Sequence, residues 1–455
     1  MTPAFSAPPV AFYGDDFTGS SENLAQYHRH GLRSILFLDA ARAGEIRNRA
    51  GDYDVIGIAG VARSLAPAAM AAEIRPALEL FRDIGSRFVQ YKICSTFDSS
   101  PEVGSFGVAV AEARSIWPGC LIPVHAAMPE QGRYTVFGQH FARFGDQVFR
   151  LDRHPSMSRH PSTPMDEADL GRHLARQTAV SIDYVTAPML DGPPSIVRDL
   201  LARARAAGSI IVFDGMTSDH LDRTATCLWE QASGGTVFTL GAQGVAHGLG
   251  RHLASKMGRE PDRTPFLDAA PRMLVVSGSC AAQTALQIEC AETAGWATVR
   301  LDVARVLDPE SRDDALEHVR QAARDSFRNS RDVIILTARG PDDPSLGEAR
   351  EALRRMKLSP EAAAREIGAA FAFLARNLAG EFGLRRLVFS GGDTSSYAMR
   401  AIGAFALTIA RVDSRTGGHV CRLHADDPAV NGLQVLLKGG QIGGPDLFLR
   451  AKSGA

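Results

Sequence analysis

The sequence predicts an α/β protein made of two α/β domains, each with a largely parallel sheet flanked by helices. Three observations carry this. Short apolar, β-branched runs alternate with longer amphipathic stretches from end to end. The 455 residues exceed what one hydrophobic core usually organises. Between residues 251 and 271 the periodicity breaks and Lys256, Gly258, Pro261, Pro265 and Pro271 gather among charged residues, as expected of a connection. The expected domains are therefore 1–250 and 272–455.

In chain order, strands are expected at 10–13, 34–38, 55–59, 88–94, 121–124, 184–187, 210–214 and 236–240, with helices such as 66–84 and 196–207 between them. A second series follows at 273–276, 298–301, 333–336, 386–389, 408–412, 420–423 and 435–437. The charged stretch 309–331 reads as a solvated helical face.

Composition narrows the function. Lys plus Arg number 50 against 51 Asp plus Glu, so no overall basic field favours nucleic acid or an anionic membrane, and an anionic ligand needs a local site. The six cysteines are scattered without metal-type spacing, which fits reduced thiols in the cytoplasm. No secretory leader is recognisable, and no run reaches the roughly 20 apolar residues of a membrane span.

Two polar turns stand out in the first half. Asp15-Asp16-Phe17-Thr18-Gly19 joins a strand to a helix, the place where open α/β sheets bind ligands. Its carboxylates can orient a polyol and accept a proton from an attacking hydroxyl; equally, they can simply cap the helix. Lys92-Ile93-Cys94-Ser95-Thr96-Phe97-Asp98-Ser99 follows another strand, and its lysine and short polar groups suit a hydroxy acid, or a solvated loop. Cys94 reads as a small buried hydrophobe rather than a nucleophile. The segment 132–165, rich in His, Arg, Pro and Ser and lacking either period, reads as a long ordered functional loop that contributes Arg159 and His160; metal ligation by His154 and His160 has no third ligand to support it.

The second half carries phosphate-type signals. Ser277-Gly278-Ser279-Cys280-Ala281-Ala282-Gln283-Thr284 and Ser390-Gly391-Gly392-Asp393-Thr394 each join a strand to a helix, where amides and hydroxyls face an anion. Asp393 can hold a magnesium-bound water. Lys438-Gly439-Gly440-Gln441-Ile442-Gly443 follows the last strand. Neither a Walker pattern nor G-x-G-x-x-G after the first strand is present.

These segments resemble the four-carbon acid sugar kinases. The family's D-D-x-T-G is similar to Asp15–Gly19, its G-S-C-S-x-x-T to Gly278–Thr284, its G-G-D-T to Gly391–Thr394, and its K-x-G-G-x-G to the Lys438–Gly443 region. The resemblance implies a sugar-acid site in the N-terminal domain, an ATP site in the C-terminal domain, and transfer in the cleft between them. Residues 92–99 look more like the 3-oxo-tetronate and 3-oxo-isoapionate branch than the threonate and erythronate branch. Two departures are visible: the family's D-T-x-S is replaced by Gly60-Val61-Ala62-Arg63-Ser64, and Ala281 stands for the second serine of the phosphate loop.

The resulting expectation is an ATP- and Mg²⁺-dependent kinase of a small sugar acid. Asp16 is the expected general base, with Asp15, Thr18, Arg63, Ser64, Lys92, Ser95, Thr96, Asp98, Arg159 and His160 around the acid. ATP is assigned to Ser277, Gly278, Ser279, Thr284, Gly391, Gly392, Asp393, Thr394, Lys438, Gly439, Gly440 and Gly443. The metal ligands are left open, and a homo-oligomer is compatible with the reading. The rivals are a threonate or erythronate kinase and a non-catalytic metabolite or nucleotide sensor.

Overall fold

The computed structural model describes residues 7–160, 162–262, 266–412, 418–440 and 442–454, apart from the side chain of Asp393. The chain forms two compact units, Met1–Asp262 and Arg263–Ala455.

The first unit contains β1 (Val10–Gly14), β2 (Ser34–Phe37), β3 (Val55–Ala59), β4 (Phe88–Lys92), β5 (Ile122–His125), β6 (Arg133–Val136), β7 (Gln139–Phe144), β8 (Gln147–Arg150), β9 (Ile182–Val185), β10 (Ile210–Phe213) and β11 (Val237–Gly241). Its main sheet runs β2-β3-β1-β4-β11-β5-β10-β9, with every described pairing parallel. Helices such as Phe17–Arg29, Pro67–Asp83 and Gln243–Met257 alternate with its strands. Val10, Phe12, Ile56, Val89, Tyr91, Val124 and Phe238 are fully buried, the near-continuous apolar character of strands covered on both faces. From β1 the chain first builds β2 and β3 on one side, then places β4 on the other. The crevice at the carboxyl ends of β1 and β4 is thus a topological switch point. Register sets Gly14 beside both Ala59 and Lys92 there.

Segment 132–165 differs from expectation. Its first part is a three-stranded antiparallel sheet, β6-β7-β8, and only the remainder stays irregular, with two short 3-10 turns at Leu151–Arg153 and Met157–Arg159. The hairpin between β6 and β7 turns on Phe137 and Gly138, with φ of 49° and 75°. Asparagine or glycine normally opens such a turn, so Phe137 concealed it. The Asp214 carboxylate compensates by accepting the N–H groups of Phe137 (2.7 Å) and Gly138 (2.9 Å).

The second unit contains β12 (Met273–Ser277), β13 (Ala297–Arg300), β14 (Val333–Leu336), β15 (Arg386–Ser390), β16 (Ala404–Val412), β17 (His419–Ala425) and β18 (Gln434–Lys438), in the order β13-β14-β12-β15-β18-β17-β16. The first five positions are parallel, whereas β17 pairs antiparallel with both neighbours. Met273, Val275, Ile288, Trp296, Ile334, Val388 and Leu436 form part of its core. Register aligns Ser277, Ser390 and Lys438 across the carboxyl ends of β12, β15 and β18. The charged stretch forms the helix Arg312–Arg328. In the connection, the helix Gln243–Met257 takes in the first seven residues expected to be irregular.

Candidate active site

At the switch point of the first unit, two adjacent carboxylates take different tasks. Asp16 is the N-cap of the helix Phe17–Arg29, and both its oxygens accept the Gly19 N–H at 3.2 Å. Asp15 is buried and grips Arg63 with a fork, Nη2 to Oδ1 at 2.6 Å and Nε to Oδ2 at 3.2 Å. The same Arg63 Nη2 donates to Asp16 Oδ1 at 2.6 Å. The capping role and the charged cluster therefore coexist. Arg63 reaches both acids because Gly60 N–H and Arg63 N–H donate to the Gly14 and Asp15 carbonyls, tying the turn after β3 to the turn after β1.

Environment separates the acids. Burial pushes the Asp15 carboxyl up to about 6, against the pull of Arg63. Burial also opposes ionisation of Asp16, but Arg63, Lys92 and the Gly19 amide outweigh it and hold the carboxyl below its ordinary range. Asp16 remains 29% exposed, whereas Asp15 is 1% exposed. The Lys92 side chain is buried, with Nζ donating to the Ile93 carbonyl at 2.8 Å. Gly19 lets it approach: a Cβ there would lie 2.3 Å from Asp16 Oδ1 and 2.8 Å from Lys92 Nζ.

The loop after β4 is held by ring packing and hydrogen bonds. Phe97 adopts φ 61° and packs its ring against Phe106 and His173, a strained conformation for a bulky residue that its surroundings impose. Thr96 donates to Asp98 at 2.7 Å, and His140 Nε2 reaches the Ser95 carbonyl at 2.8 Å. The Cys94 thiol is pushed up to about 11 by burial, so it stays protonated at neutral pH. Thr18 lies in the first helical turn, its carbonyl accepting from Ser21. Ser64 is exposed and donates to the Val61 carbonyl, away from the carboxylates. Arg159 is exposed on its 3-10 turn, and His160 Nδ1 meets the Thr163 amide and hydroxyl, so both sit in locally bonded loop structure.

In the second unit the site is mostly backbone. Neither the helix Ala282–Thr293 nor the helix Gly392–Ala401 has a side-chain N-cap, which leaves their first amides for an anion. The preceding turns are pressed together. Gly391 has φ 120°, and a Cβ on it would lie 3.2 Å from Gly278 C and Ser279 N; one on Gly278 would meet Thr394 Oγ1 at 2.7 Å. Lys438 is buried beneath them and donates to Thr284 Oγ1 (2.8 Å) and Ser390 Oγ (3.1 Å), with no carboxylate partner among the described residues. Burial pulls its ammonium down to about 8. Ser279 Oγ lies 2.9 Å from Thr284 Oγ1, which donates to the Gly440 carbonyl. Ser277 is wholly buried, and its hydroxyl finds no partner among the described residues. Gln287 and Gln283 hold the last glycine turn through the Ile442, Gly443 and Gly444 carbonyls. The Asp393 side chain and Gln441 lie outside the described residues.

Sequence reasoning missed Ser390 as a partner of Lys438, Gln287 as the anchor of the glycine turn, and Arg133 and His140 beside the loop after β4. Only the strand pairing of the small sheet brings the last two near that loop. Among the described residues, no cluster of three or more His, Cys, Asp or Glu could hold a metal, and no helix is long and apolar enough to cross a membrane.

Comparison with known proteins matches this division. Residues 10–249 match the sugar-binding N-terminal domain, and residues 274–448 the nucleotide-binding C-terminal domain. A 3-oxo-isoapionate kinase of Paraburkholderia graminis is 36% identical over 98% of this chain and 94% of its own. A 3-oxo-tetronate kinase of Methylobacterium radiotolerans is 29% identical over 96% and 97%. A solved structure from Salmonella typhimurium LT2 shares the fold with a TM-score of 0.75 at 23% identity, covering 97% of this chain and 98% of that one. With both domain types matched in order and a relative aligned over nearly its full length, the chain belongs to the four-carbon acid sugar kinase family.

Proposed function

We propose that this chain moves the γ-phosphoryl group of ATP onto a hydroxyl of a small 3-oxo sugar acid, with 3-oxo-isoapionate the first candidate and 3-oxo-tetronate the second. The observation that carries the nucleotide half is Lys438, a buried ammonium whose partners among the described residues are hydroxyls, beneath two helix N-termini that have no side-chain cap. Phosphate oxygens supply the charge it lacks and accept the free amides. The described donors are hydroxyl, amide and ammonium groups, which suit phosphate; magnesium enters as part of the Mg-ATP substrate. The preference among acids rests on the relative at 36% identity.

In this reading the substrate oxygen attacks the γ-phosphorus, the bond from that phosphorus to the β,γ-bridging oxygen breaks, ADP leaves, and the hydroxyl proton passes to Asp16. The depressed pKa of Asp16 is compatible with this role, because a loose phosphoryl transition state asks for orientation first and a strong base second. Asp15 holds Arg63, and Arg63 steadies Asp16. Lys92, Ser95, Thr96 and Asp98 supply polar contacts to the acid. An ATP-fed enzyme with free cysteines fits the cytoplasm.

The test is ADP release by purified protein with Mg-ATP and a panel of keto and non-keto sugar acids of four and five carbons. Acid-dependent ADP formation, strongest with 3-oxo-isoapionate, is expected. ATP binding with no turnover across the panel would sink the kinase reading in favour of a sensor, and a preference for threonate or erythronate would move the chain to the other branch.

A further inference from the structure

We propose that Arg133, carried on the small sheet β6-β7-β8, is the cation that recognises the carboxylate of the sugar acid; this rests on the sugar-acid reading above. The argument begins with how the sheet is held. Asp214, just beyond β10, accepts three main-chain N–H groups, from Phe137, Gly138 and Ala187, and Thr135 exchanges both backbone hydrogen bonds with Gly215. The hairpin is therefore pinned at the carboxyl end of the main sheet of its own unit.

Its orientation follows from a second relay. Thr135 Oγ1 bonds His140 Nδ1 at 2.9 Å, and His140 Nε2 bonds the Ser95 carbonyl at 2.8 Å. Thr135 and Arg133 are two residues apart on β6, hence on one face of the strand. That face is the one joined through His140 to the loop 93–99. Gly132 permits the entry: with φ 69° it would drive a Cβ to 2.7 Å from the Arg143 side chain.

The guanidinium is incompletely used. Among the described residues, Nη1 reaches main-chain carbonyls, those of Gln131 (3.1 Å), Gly132 (3.4 Å) and Arg143 (3.4 Å). Nε is buried and has no partner among the described residues. No described carboxylate forms an ion pair with it, and burial weakens its charged form. The charged or ionisable groups that bear on it include Asp98 and Cys94 of the loop, Glu22 of the helix Phe17–Arg29, Arg143 and His140 of β7, and His154. A half-buried arginine fork with a free inward donor beside the polar loop lacks one thing, a planar anion, and a carboxylate fits that geometry better than a tetrahedral phosphate or a neutral hydroxyl. Arg63 is already occupied by two aspartates, whereas Arg133 has no carboxylate partner among the described residues.

The test compares Arg133→Gln, Arg133→Lys and the unaltered protein by calorimetric binding of 3-oxo-isoapionate, 3-oxo-tetronate and erythronate, with erythritol as the uncharged counterpart of erythronate, alongside melting temperature and KM for ATP. Arg133→Gln is expected to weaken acid binding roughly 10- to 100-fold, with Arg133→Lys intermediate. Erythritol binding, melting temperature and ATP KM should be unchanged. Equal acid affinity in Arg133→Gln and unaltered protein overturns the inference, as does a parallel loss for erythritol, which would mark a role in shape alone. Failure of the kinase reading looks different: acids bind and depend on Arg133, yet no ADP is released.

Discussion

The candidate sites of the two units are built in opposite ways. In the first, the candidate site is made of charged side chains already neutralising one another: Asp15 and Asp16 share Arg63, and Asp16 also caps a helix. In the second, charge is nearly absent from the described side chains. Two helix starts without side-chain caps, closely packed glycines and the buried Lys438 make up the candidate site. The difference teaches that the carboxyl ends of parallel strands can be furnished either with paired side-chain charges or with backbone amides and glycines. It also separates what each unit loses when one residue is changed.

The largest effect should come from Asp16→Asn. Removing the proton acceptor is expected to lower kcat about 10²- to 10⁴-fold while ATP affinity stays the same, as single-turnover and equilibrium binding assays would show. Unchanged turnover would remove Asp16 from the chemistry and leave it a helix cap. Next, Lys438→Met should weaken ATP binding roughly 10- to 100-fold with sugar-acid binding intact. If both ligands are lost together, the two sites are not independent and the comparison breaks.

A smaller effect is expected of Gly391→Ala. The new Cβ meets the Gly278 and Ser279 backbone at 3.2 Å, at a φ of 120° that side chains rarely adopt. A cost of about 1–3 kcal/mol is expected, seen as a lower melting temperature and raised ATP KM. The pH dependence should divide likewise. As pH falls through about 6, Asp15 gains a proton and its hold on Arg63 weakens, so kcat/KM for the acid should fall. As pH rises through about 8, Lys438 loses its charge and ATP KM should rise. In stability the Asp15 sign is reversed: its folded pKa is raised from 3.8 to about 6, so the folded state holds more protons in that window, and this group's contribution declines as pH rises across it.

Much of this was legible in the residues. The turn after β1, the loop after β4 and the turns after β12 and β15 were expected where they occur, because local apolar period and glycine punctuation mark strand ends. The small sheet was not. Its strands are short and mostly half-exposed, and its hairpin turn opens with Phe137 rather than asparagine or glycine. Segment 132–165 was therefore expected as a loop, while Asp214, more than 70 residues away, is what stabilises the turn. Ser64 likewise looked like a neighbour of Arg63 in function, yet the 3-10 turn Ala62–Ser64 aims it elsewhere.

The sequence by itself determined the α/β alternation and the glycine-rich turns at strand ends of the second unit, since each depends on local period or on residue types clustered within a few positions. Tertiary structure decided which clusters are neighbours. It set Ser277, Ser390 and Lys438 in one row across three strands, bound Arg63 to both aspartates, and joined His140 of the small sheet to the loop after β4. The physical reason is that strand order, register and the pinning of a hairpin are long-range choices, made by burial and hydrogen bonding between segments that no local pattern connects.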